Sequence, residues 1–147
     1  VNASVRDYIA RRNPADLLTR VRVVAETPHV ARYYRAADLY IHPTLNDSFG
    51  MAPLEAMSFR LPVVLSPAPW CGFAQYVTAE EEALVLGHPE DADELASYIR
   101  RLHESAELRS RLVMGGAQVV ARHSWPRVAQ QYQSLYEAIL AERSSGS

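Results

Sequence analysis

The sequence predicts an α/β fold in which a parallel sheet is flanked by helices. Short β-branched runs alternate with segments of helical periodicity, and proline and glycine residues separate them. Strands that alternate with helices pair in parallel through crossover connections. A further apolar run, Leu61–Ser66, is nearly continuous, as expected of a strand covered on both faces. The length of 147 residues allows one hydrophobic core, so one α/β domain is predicted.

Six elements are predicted in the first half of the chain. They are a helix over Val1–Arg20, a strand over Val21–Ala25, a helix over Pro28–Ala37, a strand over Asp38–His42, a helix over Met51–Phe59 and the strand Leu61–Ser66. Thr27 is placed to cap the second helix, and Pro28 suits its first position. Pro43 stops the second strand, because proline cannot donate to a strand ladder. Strand and helix therefore alternate up to residue 66.

The second half is predicted to be mainly helical. Its elements are a short helix over Phe73–Thr78, a strand over Glu82–Leu86, a helix capped by Asp91, a helix over Ala106–Arg122 that is broken or loosened at Gly115–Gly116, and a last helix capped by Ser124. The apolar residues of these segments recur at helical spacing. Residues 1–142 are predicted to form the domain, and residues 143–147 a disordered tail or linker scar.

Composition excludes several classes of protein. The formal net charge is -2, which does not indicate a nucleic-acid binder. No apolar run approaches the roughly 18 residues that span a bilayer. Cys71 is the only cysteine, so no internal disulfide can form, and a structural zinc site is not expected. These features fit a cytoplasmic protein. All 15 basic residues are arginine, so this chain alone cannot complete a mechanism that needs lysine.

A polar loop between a predicted strand and helix carries the best candidate chemistry. Gly50 opens the helix, where free backbone N–H groups favour an anion. Asp47 lies in the loop and Glu55 about one and a half turns into the helix, so both can face one cleft. A carboxylate there suits vicinal sugar hydroxyls. A structural interpretation stays open, with Asp47 as a loop or capping residue and Glu55 as a solvated helix acid.

Several ordered motifs resemble one family of enzymes. The run Asp47–Met57, DSFGMAPLEAM, is similar to the E-x-F-G-x-x-x-x-E-A-M pattern of retaining, nucleotide-sugar-dependent glycosyltransferases of family 4, which have the GT-B fold. Tyr34–Pro43 resembles the strand before that motif, Leu61–Val64 the strand after it, and Arg122–Trp125 the start of the last helix. The resemblance covers about Val21–Ala141. It implies the Rossmann-like C-terminal half of such an enzyme, as a partial domain.

A finer resemblance concerns two loops. His42–Pro43 and Cys71–Val77 are similar to the subgroup that adds glucose to the inner core of bacterial lipopolysaccharide. The resemblance thus implies a UDP-linked hexose, with UDP-glucose as the expected donor, and a role in lipopolysaccharide biosynthesis. From its position alone, His42 is more simply a packing residue at a strand end, and a place in the site stays open.

The family resemblance also implies residue roles. Glu55 would hold the ribose hydroxyls, and Asp47 stands where the first glutamate of the family touches the donor hexose. These two are the expected catalytic residues. The expected substrate-binding residues are Ser48, Phe49, Gly50, Met51, Ala52, Leu54, Glu55 and Gly72. No metal and no cofactor are implied. Backbone N–H groups, a helix dipole and basic side chains would stabilise the leaving diphosphate.

Three residues depart from the family pattern. Asp47 is one methylene shorter than glutamate, which reduces its reach by about 1.5 Å. Arg60 replaces a glycine expected after the helix, at a cost on the order of 1 kcal/mol if that position is left-handed. Gln75 occupies a position that is often acidic. Each departure could change donor choice or lower activity.

The expected function is the donor-binding part of a hexosyltransferase that acts with retention on an acceptor glycan or lipid-linked glycan. The family resemblance implies an N-terminal acceptor domain and two earlier strands that this sequence is expected to lack, so the chain by itself is expected to be inactive and to self-associate. A cytoplasmic location at the inner face of the membrane is expected. Two alternatives are a noncatalytic binding or assembly module that kept the fold, and an oxidoreductase domain, which the absence of GxGxxG disfavours.

Overall fold

The computed structural model describes Arg11 and residues 21–145. The chain divides into two compact units, residues 1–33 and residues 34–147. Apart from Arg11, which is helical, the helix predicted over Val1–Arg20 lies outside the described residues. The strand predicted over Val21–Ala25 is wrong, because this segment has no regular secondary structure. A β-branched run becomes a strand only when a neighbour pairs with its backbone, and this run joins no ladder among the described residues.

Three short parallel strands form the described sheet. They are β1 (Tyr40–His42), β2 (Val63–Leu65) and β3 (Leu84–Val85), in the order β1-β2-β3. Tyr40 pairs with Val63, and Val64 pairs with Leu84. The predicted α/β class with parallel pairing is confirmed, with three strands in the described sheet where four were expected.

Helices connect and cover the strands. They are α1 (Val30–Ala36), α2 (Met51–Ser58), a 3-10 helix (Gly72–Tyr76), α3 (Ala92–Glu104), α4 (Ala106–Arg122) and α5 (Trp125–Ser145). The Asp91 side chain accepts a hydrogen bond from the N–H of Glu94 at 2.8 Å, as the predicted cap requires. The last helix extends three residues into the segment predicted to be a tail. No helix in the described part of the chain is long and apolar enough to cross a membrane.

The core lies on both faces of β2. Every residue from Leu61 to Ser66 is buried, which confirms that this strand is covered on both sides. Val63 and Leu65 belong to one cluster of buried side chains, with Ala56, Met57, Phe73 and Val119. Val64 belongs to a second cluster with Leu84, Leu102 and Leu112. Alternate residues of the strand thus anchor helices on opposite faces.

Helix α4 runs unbroken through Gly115 and Gly116, so the predicted break there is wrong. The two glycines instead allow close packing. A Cβ at Gly115 would overlap the carbonyl oxygen of Glu81, and one at Gly116 would lie 3.2 Å from Cγ of Met57. The energetic cost of glycine within a helix is offset by this approach of α4 to α2 and to the turn before β3.

Candidate functional site

The loops that follow β1 and β2 are tied together at one edge of the sheet. The N–H of Ser66 donates to the carbonyl of His42 at 3.2 Å, just beyond the strands. The N–H of Asp47 donates to Trp70 O at 2.9 Å, and the N–H of Gly72 donates to Asp47 O at 3.0 Å. Because β1 and β2 are parallel, their carboxyl ends meet here, as in other open α/β sheets that bind ligands at this edge.

Two glycines make this arrangement of loops possible. A Cβ at Gly72 would overlap the carbonyl oxygen of Ser48 and lie 3.0 Å from its carbonyl carbon. Gly50 has a φ of 92°, and a Cβ there would lie 3.1 Å from Sγ of Cys71. Both positions therefore exclude larger residues, the first for lack of space and the second also for its left-handed backbone.

Tyr40 and His42 hold the carboxylate of Asp47 through a series of side-chain hydrogen bonds. Its Oδ2 lies 2.9 Å from Nε2 of His42, whose Nδ1 lies 3.2 Å from the Tyr40 hydroxyl. Burial raises the pKa of Tyr40, and the carboxylates of Glu55 and Asp47 raise it further, so the phenol stays protonated. A neutral His42 then accepts from Tyr40 at Nδ1 and donates to Asp47 from Nε2. The Asp47 side chain is 29% exposed, so it still reaches solvent.

A second tyrosine holds the carboxylate of Glu55. The buried Tyr34 donates its O–H to Oε2 of Glu55 at 3.2 Å and stacks on Phe59 with ring centroids 5.2 Å apart. Burial, then the nearby Tyr40 and Glu55, raise the pKa of Tyr34 to about 12. Tyr34 therefore remains a donor at neutral pH. Glu55 itself is exposed, so its carboxylate is oriented at the surface rather than freely solvated.

The N-terminus of α2 lies between these two acids in sequence. Gly50 is its N-cap, with no side-chain hydrogen bond to the first turn, and that turn carries no acidic residue. Asp47 is therefore not a capping residue of this helix. The first N–H groups of any helix lack partners within it, so an anion is favoured at this position. Met51 is exposed and Ala52 half-buried in this turn.

A largely apolar groove of about 970 Å³ lies beside α2 and α5. Phe49 points into it and contacts Phe73, with ring centroids 5.6 Å apart, and His123 at 6.2 Å. Of the predicted site residues, Phe49, Met51, Leu54 and Glu55 line this groove. The predicted site residues therefore fall into two groups, because Asp47 and Gly72 do not line the groove.

Sequence reasoning missed the partners of the two acids. Asp47, Ser48, Gly50 and Gly72 lie together at the sheet edge, as predicted from the loop positions. The sequence predicts no site role for Tyr34 or Tyr40, and it favours packing for His42 while leaving a place in the site open. The five-residue spacing of His42 and Asp47 was the one available signal. Within residues 21–145 and at Arg11, no group of three or more His, Cys, Asp or Glu residues could hold a metal ion.

Comparison with known proteins identifies relatives of this chain. It is 28% identical over 144 residues to the lipopolysaccharide core biosynthesis mannosyltransferase LpsB of Rhizobium meliloti (strain 1021), an alignment that covers 94% of the chain and 38% of LpsB. It is 32% identical over 130 residues to the D-inositol 3-phosphate glycosyltransferase of Corynebacterium efficiens, covering 86% of the chain and 30% of that enzyme. The chain thus spans about a third of the length of these relatives.

The fold is shared with a solved structure that contains a nucleotide sugar. Anabaena Alr3699/HepE in complex with UDP-glucose superposes with a TM-score of 0.77 and 22% sequence identity, over 92% of this chain and 36% of that one. This confirms the predicted fold, the Rossmann-like half of a GT-B glycosyltransferase. The sequence profile of the family described as "Glycosyl transferases group 1" matches residues 8–119. The chain therefore belongs to the group 1 family of glycosyl transferases.

Proposed function

We propose that this chain binds a nucleotide diphosphate sugar and serves the transfer of its hexose, with retention of configuration, to an acceptor glycan or lipid-linked glycan. One observation carries the proposal. Two carboxylates, Asp47 and Glu55, are each oriented by a hydrogen-bonded partner, and in sequence they flank the start of α2, which has no side-chain cap. Oriented carboxylates accept from sugar hydroxyls, and the helix start favours a phosphate.

Each part of the donor has a proposed partner. Glu55 accepts from the ribose hydroxyls, and Asp47 accepts from a hydroxyl of the hexose. The backbone of Ser48–Ala52 contacts the hexose and diphosphate, and Gly72 forms the opposite wall, where its missing Cβ keeps the two loops close. Leu54 is half-buried against the first core cluster and lines the apolar groove. Neither a metal nor a cofactor is part of the proposal, because the N–H groups and helix dipole of α2 face the leaving diphosphate.

A UDP-linked hexose, with UDP-glucose first, is the proposed donor. The HepE complex with UDP-glucose supports the choice through its shared fold. LpsB is named as a mannosyltransferase, which makes a mannose donor the first alternative to test. The match to LpsB supports a role in lipopolysaccharide biosynthesis, and the cytoplasmic face of the membrane stays the predicted location.

The proposed partners follow from the share of each relative that the chain covers. Its relatives are about three times longer, which supports an acceptor-binding domain elsewhere in the complete enzyme. Such a domain would complete the catalytic centre, so the 147-residue chain alone is proposed to bind the donor without turnover. A noncatalytic module that kept the fold remains the second candidate, and Asp47, Arg60 and Gln75 are the residues that motivate it.

An NMR titration of the labelled chain with UDP-glucose tests the proposal. We expect amide shifts centred on Ser48–Glu55, with millimolar or tighter affinity, which corresponds to about 4 kcal/mol. Glu55→Ala should weaken binding by about tenfold because it removes the carboxylate that accepts from the ribose. Glu104→Ala, at an exposed position on α3, is the matched control and should bind like the unaltered chain.

The negative result is equally clear. If UDP-, GDP- and ADP-linked sugars all leave the amides of the Ser48–Glu55 segment unshifted at millimolar concentration, this chain does not bind the donor. The noncatalytic module would then be the better interpretation. Turnover of UDP-glucose by the isolated chain at an ordinary enzyme rate would contradict the proposed need for a second domain.

A further inference from the structure

We propose that His42 is a positioning residue that holds Asp47 so that the second oxygen of its carboxylate is presented to the donor hexose. The inference rests on the proposed function and goes beyond it, because it assigns a role to a residue that does not touch the donor. The chain Tyr40–His42–Asp47 is the observation that carries it.

The backbone of His42 is anchored by the sheet. His42 is the last residue of β1 and pairs with Leu65 of β2, all of whose residues are buried. Its carbonyl accepts from the N–H of Ser66 at 3.2 Å and from the N–H of Thr44 at 3.0 Å. The imidazole therefore projects from the anchored end of β1, whereas the Asp47 carboxylate extends from the loop that follows this strand.

The imidazole is anchored at its other nitrogen as well. The hydroxyl oxygen of Tyr40 lies 3.2 Å from Nδ1 of His42, and the two rings stack with centroids 6.0 Å apart. The Tyr40 ring is packed in turn against Tyr34 in an edge-on contact at 5.8 Å. A ring with both nitrogens bonded cannot turn freely, so its Nε2–H points at Asp47.

Asp47 retains a free face in this contact. His42 binds Oδ2, and the side chains of His42 and Asp47 are 18% and 29% exposed. Oδ2 is thus occupied by His42, and the proposal assigns Oδ1 of this partly exposed side chain to a hexose hydroxyl. A shorter acid at this position has fewer rotamers than glutamate, and the histidine selects one of them. Ordering the acid before the ligand arrives lowers the entropic cost of binding.

Comparing UDP-glucose with UDP tests the role directly, because UDP lacks the hexose that Asp47 is proposed to touch. In the 147-residue chain we expect His42→Ala to weaken UDP-glucose binding by about tenfold and to leave UDP affinity unchanged. His42→Gln, whose amide can donate to Asp47, should restore most of the difference. In an Asp47→Ala background, His42→Ala should have no further effect. His103→Ala, at an exposed position on α3, is the control.

A ligand-free measurement separates this inference from the proposed function. The Hα–Hβ couplings of Asp47 should indicate one side-chain rotamer in the unaltered chain and in His42→Gln, and averaging in His42→Ala. Averaged couplings in the unaltered chain would overturn the inference, as would equal loss of UDP and UDP-glucose in His42→Ala. If neither the unaltered chain nor any variant binds either ligand, the proposed function fails. The claim that Asp47 contacts the donor hexose then fails as well. The couplings then decide alone whether His42 holds Asp47.

Discussion

The two acids of the candidate site depend on hydrogen-bonded side chains for their orientation. Tyr34 donates to Glu55 from 21 residues away, and His42 bonds to Asp47 from five residues away. Asp47 and Glu55 could be predicted from the sequence because their spacing and helix position are local. The partner of Glu55 could not, because no local spacing connects α1 to the middle of α2. Contacts of this kind arise only when the core brings two helices together.

Arg60 is one of two non-glycine residues in the described part of the chain, with Glu80, whose backbone lies in the left-handed region. Its φ is 63°, in the left-handed region expected if this site followed the family pattern of a glycine. The N–H of Leu61 bonds to Ala56 O at 3.2 Å, and the N–H of Arg60 bonds to Met57 O at 2.9 Å. These two bonds are the pattern that closes a helix with a left-handed residue, usually glycine.

Arg60→Gly should therefore stabilise the chain. We expect the free energy of unfolding to rise by about 1 kcal/mol, since glycine adopts this φ without steric cost. Urea denaturation followed by circular dichroism measures the change. Arg100→Gly is the matched control, the same substitution at an exposed position inside α3, and should lower the free energy of unfolding by about 1 kcal/mol. Destabilisation by both variants would contradict the explanation.

At the scale of elements, the site depends on two short strands that end together. β1 and β2 are three residues long each, yet their loops are joined by hydrogen bonds through Asp47. The start of the 3-10 helix packs against the loop before α2, and this contact leaves no room for a side chain at Gly72. The position of Asp47 therefore depends on both loops and not only on its own.

Gly72→Ala should disrupt this junction. Because the added methyl would meet backbone atoms of Ser48, one loop must move, and we expect a loss of about 2 kcal/mol in the free energy of unfolding. UDP-glucose affinity should fall with it. Gly87→Ala is the control, because its Cβ would lie 3.5 Å from a flexible Glu94 oxygen, and its effect should stay within about 0.5 kcal/mol. Calorimetry with and without UDP-glucose checks both, and equal stability of the two variants would refute the steric argument.

At the scale of the whole molecule, α5 presents an exposed apolar face. Its exposed large hydrophobic residues are Trp125, Tyr132, Leu135, Tyr136, Ile139 and Leu140. Part of this face borders the groove beside α2. Contiguous exposed apolar surface of this kind favours association, because burying it removes apolar area from water.

We predict that the 147-residue chain self-associates through α5 as its concentration rises. Sedimentation velocity over a concentration series should show a growing oligomer fraction. Leu135→Glu combined with Ile139→Glu should abolish it and leave the free energy of unfolding within about 1 kcal/mol, since both side chains are exposed. Gln130→Glu combined with Ser134→Glu adds the same charge to the opposite side of α5 and should still associate. A monomer at every concentration would contradict the prediction.

The sequence by itself determined the class of fold, the presence of the helices from α2 to α5 and the buried strand β2, and it indicated Asp47 and Glu55 as candidate site residues. These features are local, because periodicity, capping residues and loop position decide them. Only the tertiary structure decided that residues 21–27 form no strand and that the glycines of α4 are packing contacts. It also decided that Phe49 lines the groove beside α2 while Asp47 does not, and that Tyr34 and His42 form hydrogen bonds with the acids. Each of these depends on which neighbour supplies a hydrogen bond or takes up space, and except for the five-residue contact of His42 with Asp47 that neighbour is distant in sequence.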